Sequence, residues 1–156
     1  MAILHWNAIP IFVDIDPKTY CIDADKVAAA ITPRTKAIMP VDIFGQSAET
    51  EKIMDIANKK GIKIISDSAQ SPGATRHGKF AGTLSHIGGI SLNYHKHIHS
   101  GEGGILFTDD DELALRAQLI RNHAESVVQA AGVKNLNNMI GHNFRMTELQ
   151  AAVGVA

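Results

Sequence analysis

The fold is read from Gly61-Ile-Lys-Ile-Ile-Ser-Asp-Ser-Ala-Gln70. Ile62 to Ser66 is short and nearly all apolar, the composition of a strand covered on both faces, as in a parallel sheet. The glycine before it stands where a helix ends in a left-handed residue. The helix it would close runs back through Ala57, Ile56, Met54 and Ile53 to Ser47, which reads as the N-cap. Asp67 to Gln70 follow the strand directly, at the end where open α/β sheets bind their ligands.

The same alternation extends in both directions. Upstream, Ile9 to Asp14 reads as a strand, Ala24 to Ile31 as a helix stopped by the Thr32-Pro33 turn, and Ala37 to Phe44 as a second strand. Downstream, Ser71 to Gly89 reads as a loop. Strands are expected near Ile90 to Asn93 and Gly104 to Thr108, followed by a helix capped within Asp109 to Asp111 and running through Leu113, Ala117 and Ile120. Thr147 and Gln150 have capping-box spacing for a last helix. Short apolar runs alternating with helical patterns are the mark of an α/β sheet built from crossover units. The last helix pattern is unfinished at Ala156 and the first strand stands close to Met1, so the chain reads as a central slice of a larger protein.

Composition narrows the function classes. The chain has 156 residues, 45% apolar and 20% charged, which fits a single globular domain. Fifteen Lys+Arg against sixteen Asp+Glu give a net charge of −1, so no basic field exists to hold nucleic acid or an anionic membrane. No apolar run is long enough to span a bilayer. The single cysteine, Cys21, cannot form an internal disulfide, and a cytoplasmic setting is expected.

Three clusters could carry chemistry: Asp67-Ser-Ala-Gln70, Ser91-Leu-Asn-Tyr-His-Lys96 and Gly101-Glu-Gly-Gly104. Taken singly, each has an ordinary reading. Asp67 could be a turn former, Gln70 and Lys96 surface residues, and the glycines only permissive backbone. His95, His97 and His99 alternate, and on a strand three such imidazoles would share a face and could hold zinc. The glycines that follow argue against a regular strand there, and no metal site is expected.

In combination and order, the clusters resemble the DegT/DnrJ/EryC1/StrS family of pyridoxal-phosphate aminotransferases, in which a D-x-A-[Q/H] element precedes S-F-x-x-x-K and then a glycine turn. Leu92 replaces the usual Phe. Phe12-Val-Asp-Ile-Asp-Pro17, Ile31 to Ala37, the Phe44-Gly-Gln stretch, Arg121-Asn-His123 and Asn143 to Gln150 also look like signatures of that family.

The resemblance implies the large domain of fold type I, aspartate aminotransferase-like: a mostly parallel sheet with helices on both faces. It also implies that the phosphate loop lies upstream of residue 1 and the small C-terminal domain beyond residue 156. The cofactor would be pyridoxal 5′-phosphate, held as a Schiff base by Lys96, since a lysine amine can form an imine and later exchange it. Asp67 would keep the ring nitrogen protonated. Gln70 would stand near the phenolic oxygen, Ser91 would contact the phosphate, and Asn143 would reach the cofactor of a partner subunit in a homodimer with shared active sites. The implied reaction moves an amino group, with glutamate as donor, to a keto carbon of a nucleotide-linked deoxysugar. Two alternatives stay open: a dehydratase branch that carries histidine in place of the lysine, against which Lys96 argues, and a non-catalytic or regulatory relative.

Overall fold

A computed structural model describes residues 1–124 and 140–156. Its helices are α1 (Ala2–His5), α2 (Ala24–Ala30), α3 (Thr50–Lys60), α4 (Asp111–Arg121) and α5 (Glu148–Val155). Its strands are β1 (Ala37–Ile38), β2 (Lys63–Asp67), β3 (Thr75–Arg76), β4 (Lys79–Phe80), β5 (Ile87–Ser91) and β6 (Gly104–Phe107). The main sheet has the order β1-β2-β5-β6. The first two pairings are parallel and β5-β6 is antiparallel, so the protein is α/β with a mostly parallel sheet.

Local chemistry explains most boundaries. Asp23 caps α2 by accepting the N–H groups of Asp25 and Lys26, and Asp110 caps α4 by accepting those of Glu112 and Leu113. Gly61 closes α3 in the left-handed conformation (φ 65°) that glycine adopts without steric cost. The capping box between Thr147 and Gln150 is formed at the start of α5.

The core lies on one face of the sheet. Val27 of α2, Ile53 and Ala57 of α3, Ile38 of β1 and Ile64 of β2 pack together with Cys21, Ala24, Ala48 and Ile62. Residues paired across neighbouring strands share a face, so Ile65, Asp67, Gly89, Ser91 and Leu106 lie on the opposite one. Ile65 and Leu106 remain accessible there. His86 ties the strands together: its Nδ1 accepts the Ile64 N–H at 3.1 Å, and burial pushes its imidazole pKa down.

The structure departs from the expected elements in several places. The strand expected over Ala37 to Phe44 is reduced to Ala37–Ile38: Pro40 offers no N–H to a ladder, and beyond it the pairing with β2 continues as an isolated Val41–Asp67 bridge. Ile9 to Asp14 is not a strand. Pro10 offers no N–H, no neighbouring strand among the described residues pairs with the segment, and Phe12 is 93% exposed. Just beyond it, Ile15 makes an isolated bridge to Ile22.

Ser47 does not cap α3, which starts three residues later. The Ala48 N–H is instead taken by the Asp42 carboxylate at 2.8 Å, and Ser47 Oγ donates to the Ala48 carbonyl. Within the stretch read as a loop, β3 and β4 form a hairpin whose two turn residues, His77 (φ 50°) and Gly78 (φ 77°), are both left-handed. β5 also begins earlier than expected, at Ile87, and contains Gly88 and Gly89. These glycines mark close packing. A Cβ on Gly88 would stand 1.9 Å from the Gly82 carbonyl oxygen.

Candidate active site

The parallel pairing brings the C-terminal ends of β2 and β5 to the same edge of the sheet. Asp67, the last residue of β2, is the register partner of Gly89. Ser91, two residues further along β5, lies on the same face as Asp67. Gly104, which opens β6, pairs with Ser91, so the Gly101 to Gly104 turn belongs to this edge too.

The Asp67 main chain is pinned by the segment after β1. Its N–H donates to the Pro40 carbonyl at 2.9 Å, and its carbonyl accepts the Asp42 N–H at 2.8 Å. Oδ1 of its half-buried side chain accepts the Ala69 N–H at 3.0 Å, while Oδ2 makes no hydrogen bond among the described residues. Gln70 is exposed, and its Oε1 accepts the Phe44 N–H at 3.3 Å.

Beyond β5 the chain leaves the sheet through a series of local hydrogen bonds. Ser91 Oγ accepts the Asn93 N–H at 3.2 Å, and Asn93 Oδ1 accepts that of His95 at 3.1 Å. The Asn93 amide donates to Glu102 Oε1 at 2.7 Å, which ties this segment to the glycine turn. The Lys96 N–H donates to the Asn93 carbonyl at 2.9 Å. The Lys96 side chain is half-buried, and its amine has neither hydrogen bond nor ion pair among the described residues.

The turn is built tightly. The Leu92 N–H donates to Gly103, the Ser100 N–H to Leu92, and a Cβ on Gly103 would meet Met146 at 2.7 Å. Phe144, Arg145 and Met146 line an open depression of about 230 Å³ with Glu102, Gly103 and Gly104. Pockets that enclose a small molecule usually reach ~300–1,000 Å³, so the described residues form a wall rather than a closed chamber.

Of the five residues singled out in the sequence, Asp67, Gln70, Ser91 and Lys96 therefore share one edge. Asn143 stands apart, on the segment that flanks the glycine turn. It is exposed and bridged to Asn122, and its Oδ1 accepts the Arg145 N–H. His95 lies in a turn, His97 in a bend and His99 in irregular backbone, so the strand alternation that would aim three imidazoles at one metal is absent. Among the described residues no three His, Cys, Asp or Glu side chains converge to hold a metal ion.

Three further residues were missed in the sequence: Asp42, Ser68 and Ser71, all buried beneath the Asp67 turn. The one available signal was a carboxylate inside the apolar run Ala37 to Phe44. The site's donor set is a carboxylate with one uncommitted oxygen, an amide, a hydroxyl and an uncommitted primary amine. This set matches a protonated pyridine nitrogen, a phenolic oxygen, a phosphate and an aldehyde, the four polar features of pyridoxal phosphate.

Comparison with known proteins gives the same direction. The sequence model of the DegT/DnrJ/EryC1/StrS aminotransferase family matches residues 1–156. The UDP-2-acetamido-2-deoxy-3-oxo-D-glucuronate aminotransferase of Pseudomonas aeruginosa is 43% identical over 149 residues, which are 94% of this chain and 40% of that protein. The aminotransferase of Psychrobacter cryohalolentis superposes with a TM-score of 0.90 at 32% identity, over 99% of this chain and 41% of its own. The GDP-4-keto-6-deoxy-D-mannose-3-dehydratase of E. coli, solved with bound hydrated PLP, superposes with a TM-score of 0.83 at 30% identity, over 98% and 43%. The chain thus spans about two fifths of the length of the curated relatives it matches.

Proposed function

The chain belongs to the DegT/DnrJ/EryC1/StrS aminotransferase family, and from that premise we propose that it is the central part of the large domain of an enzyme that aminates a keto carbon of a nucleotide-linked sugar. One observation supports this most directly: Asp67 and Ser91 lie on one face of adjacent parallel strands, and Lys96, with its amine uncommitted, follows on the same edge.

Pyridoxal phosphate, when bound, supplies an electron sink for the carbon that loses or gains the amino group. This chain's residues do the rest. Asp67 Oδ2 holds a proton on the ring nitrogen, which a neutral partner could not keep there. Gln70 stands for the phenolic oxygen, and the Ser91 hydroxyl for the phosphate. The Lys96 amine would hold the cofactor through its aldehyde carbon and, once released, would take and return the proton at the substrate carbon that loses or gains the amino group, as a general base and acid. Asn143, exposed and set apart from the other four residues, suits a role in the site of a partner subunit in a homodimer.

Glutamate fits as donor, and the upstream phosphate loop and a small C-terminal domain would complete the enclosure. By resemblance the dehydratase branch carries histidine where this chain has Lys96, and this favours amino transfer. A cytoplasmic setting suits such chemistry. Among the described residues no helix is long and apolar enough to cross a membrane.

The test is chemical. Borohydride reduction of the full-length protein with pyridoxal phosphate, followed by peptide mapping, should place the label on Lys96. A label on Lys79, or none, refutes the assignment.

A further inference from the structure

Asp42 is 1% exposed, and the chemistry described above does not use it. A buried carboxylate is costly unless its oxygens are hydrogen-bonded, and here both are. Oδ1 accepts the Ala48 N–H at 2.8 Å, and Oδ2 accepts the Ser68 hydroxyl at 2.5 Å, the short distance of a charge-assisted bond. Its main chain is committed to the same neighbours. The Asp42 N–H donates to the Asp67 carbonyl at 2.8 Å, and the Asp42 carbonyl accepts the Ser71 hydroxyl at 2.8 Å.

Ser68 and Ser71 are themselves 0% and 1% exposed, and they bracket Ala69 and Gln70. The turn consists of small and polar residues, so apolar packing can do little to hold it. Asp67 adds only an internal bond from its carboxylate to Ala69, so the direction of that carboxylate follows the turn.

We propose that Asp42 is a positioning residue: through Ser68 and Ser71 it fixes the Asp67 to Gln70 turn and so aims the Asp67 carboxylate and the Gln70 amide at the cofactor. The aiming half of the inference rests on the reading of Asp67 given above. The rigidity of the turn does not.

The experiment compares Asp42→Asn, Ser68→Ala, Asp67→Asn and Glu51→Gln in the full-length protein. Asp42→Asn keeps an oxygen for the Ala48 N–H but replaces the charged acceptor of the Ser68 hydroxyl with a neutral amide that can only donate to it. Ser68→Ala removes the donor and leaves Asp42 untouched. Glu51→Gln, which breaks a surface pair elsewhere, controls for a general loss of stability.

Asp42→Asn and Ser68→Ala should each weaken pyridoxal phosphate binding about tenfold. Both should shift the pH midpoint of the bound cofactor's visible band in the same direction as Asp67→Asn, and speed amide exchange at Ala69 and Gln70. Glu51→Gln should do none of these. If Asp42→Asn and Ser68→Ala only lower the melting temperature while Asp67→Asn shifts the band, the proposal is overturned. If Asp67→Asn changes nothing, the reading of Asp67 has failed; unaltered exchange at Ala69 and Gln70 then overturns the positioning role, and faster exchange upholds it. Should Asp42→Asn not fold, Ser68→Ala decides.

Discussion

Gly88→Ala should be among the most damaging single-methyl substitutions in this chain. Gly88 lies in the middle of β5, paired with Ser66 of β2 and Phe107 of β6. A Cβ there would stand 1.9 Å from the Gly82 carbonyl oxygen, about 1.5 Å short of ordinary contact, with the Gly82 C and Cα at 2.6 and 2.7 Å. All three are backbone atoms, so no side chain can rotate away. Either the Gly82 turn or β5 must move, and β5 carries Ser91. Overpacking a rigid interior costs about 1–3 kcal/mol and occasionally more. With backbone on both sides of the clash, about 3 kcal/mol is expected. Gly61→Ala is the matched control. Its position has φ 65° but nothing within 4 Å, so its cost is the left-handed penalty alone, about 1–2 kcal/mol. Urea unfolding of both variants in the full-length protein, followed by circular dichroism, measures the difference. If Gly88→Ala costs no more than Gly61→Ala, the crossing of β5 over Gly82 has been misread.

Asp67→Asn should leave the cofactor bound but lower amino transfer by about 100-fold or more, roughly 3 kcal/mol of barrier; turnover near the unmodified rate would contradict its role. Arg76 beside Glu51 holds that carboxyl at about 2, below its ordinary 4.5, and joins the β3-β4 hairpin to α3. Because the folded pKa is the lower one, this stabilisation is complete above pH ~4.5 and fades as pH falls toward ~2. Glu51 is partly exposed, so Glu51→Gln should cost only about 1 kcal/mol at neutral pH, a difference that shrinks as pH falls toward ~2 and vanishes below it, in acid unfolding curves. The 156-residue chain assayed alone with pyridoxal phosphate, glutamate and a 4-keto-6-deoxy sugar nucleotide should show little turnover; a rate matching a full-length relative would mean the functional boundaries are misplaced.

The elements whose boundaries depend on nearby residues were legible without the structure. Asp110, Gly61 and the Thr147-Gln150 box act within one turn of their own helix, and the apolar run before Asp67 announces a buried strand wherever it is placed. The order of the three clusters was also legible, because family motifs are local strings.

What depended on distant partners was not. Ile9 to Asp14 has the composition of a strand, but strand hydrogen bonds need a neighbour, and none is present among the described residues. Ser47 is not the cap because its hydroxyl donates to the Ala48 carbonyl and the helix opens only at Thr50. Gly88 and Gly89 look like loop residues until the backbone of Gly82 is seen against the first and β6 against the second. Asp42 carries no local signal of its role, which appears only where folding sets it against Ser68 and Ser71. The sequence by itself determined which residues could do the chemistry and in what order they occur. The tertiary structure decided which of them share an edge, because strand pairing and register join residues more than twenty positions apart, and no local propensity encodes that.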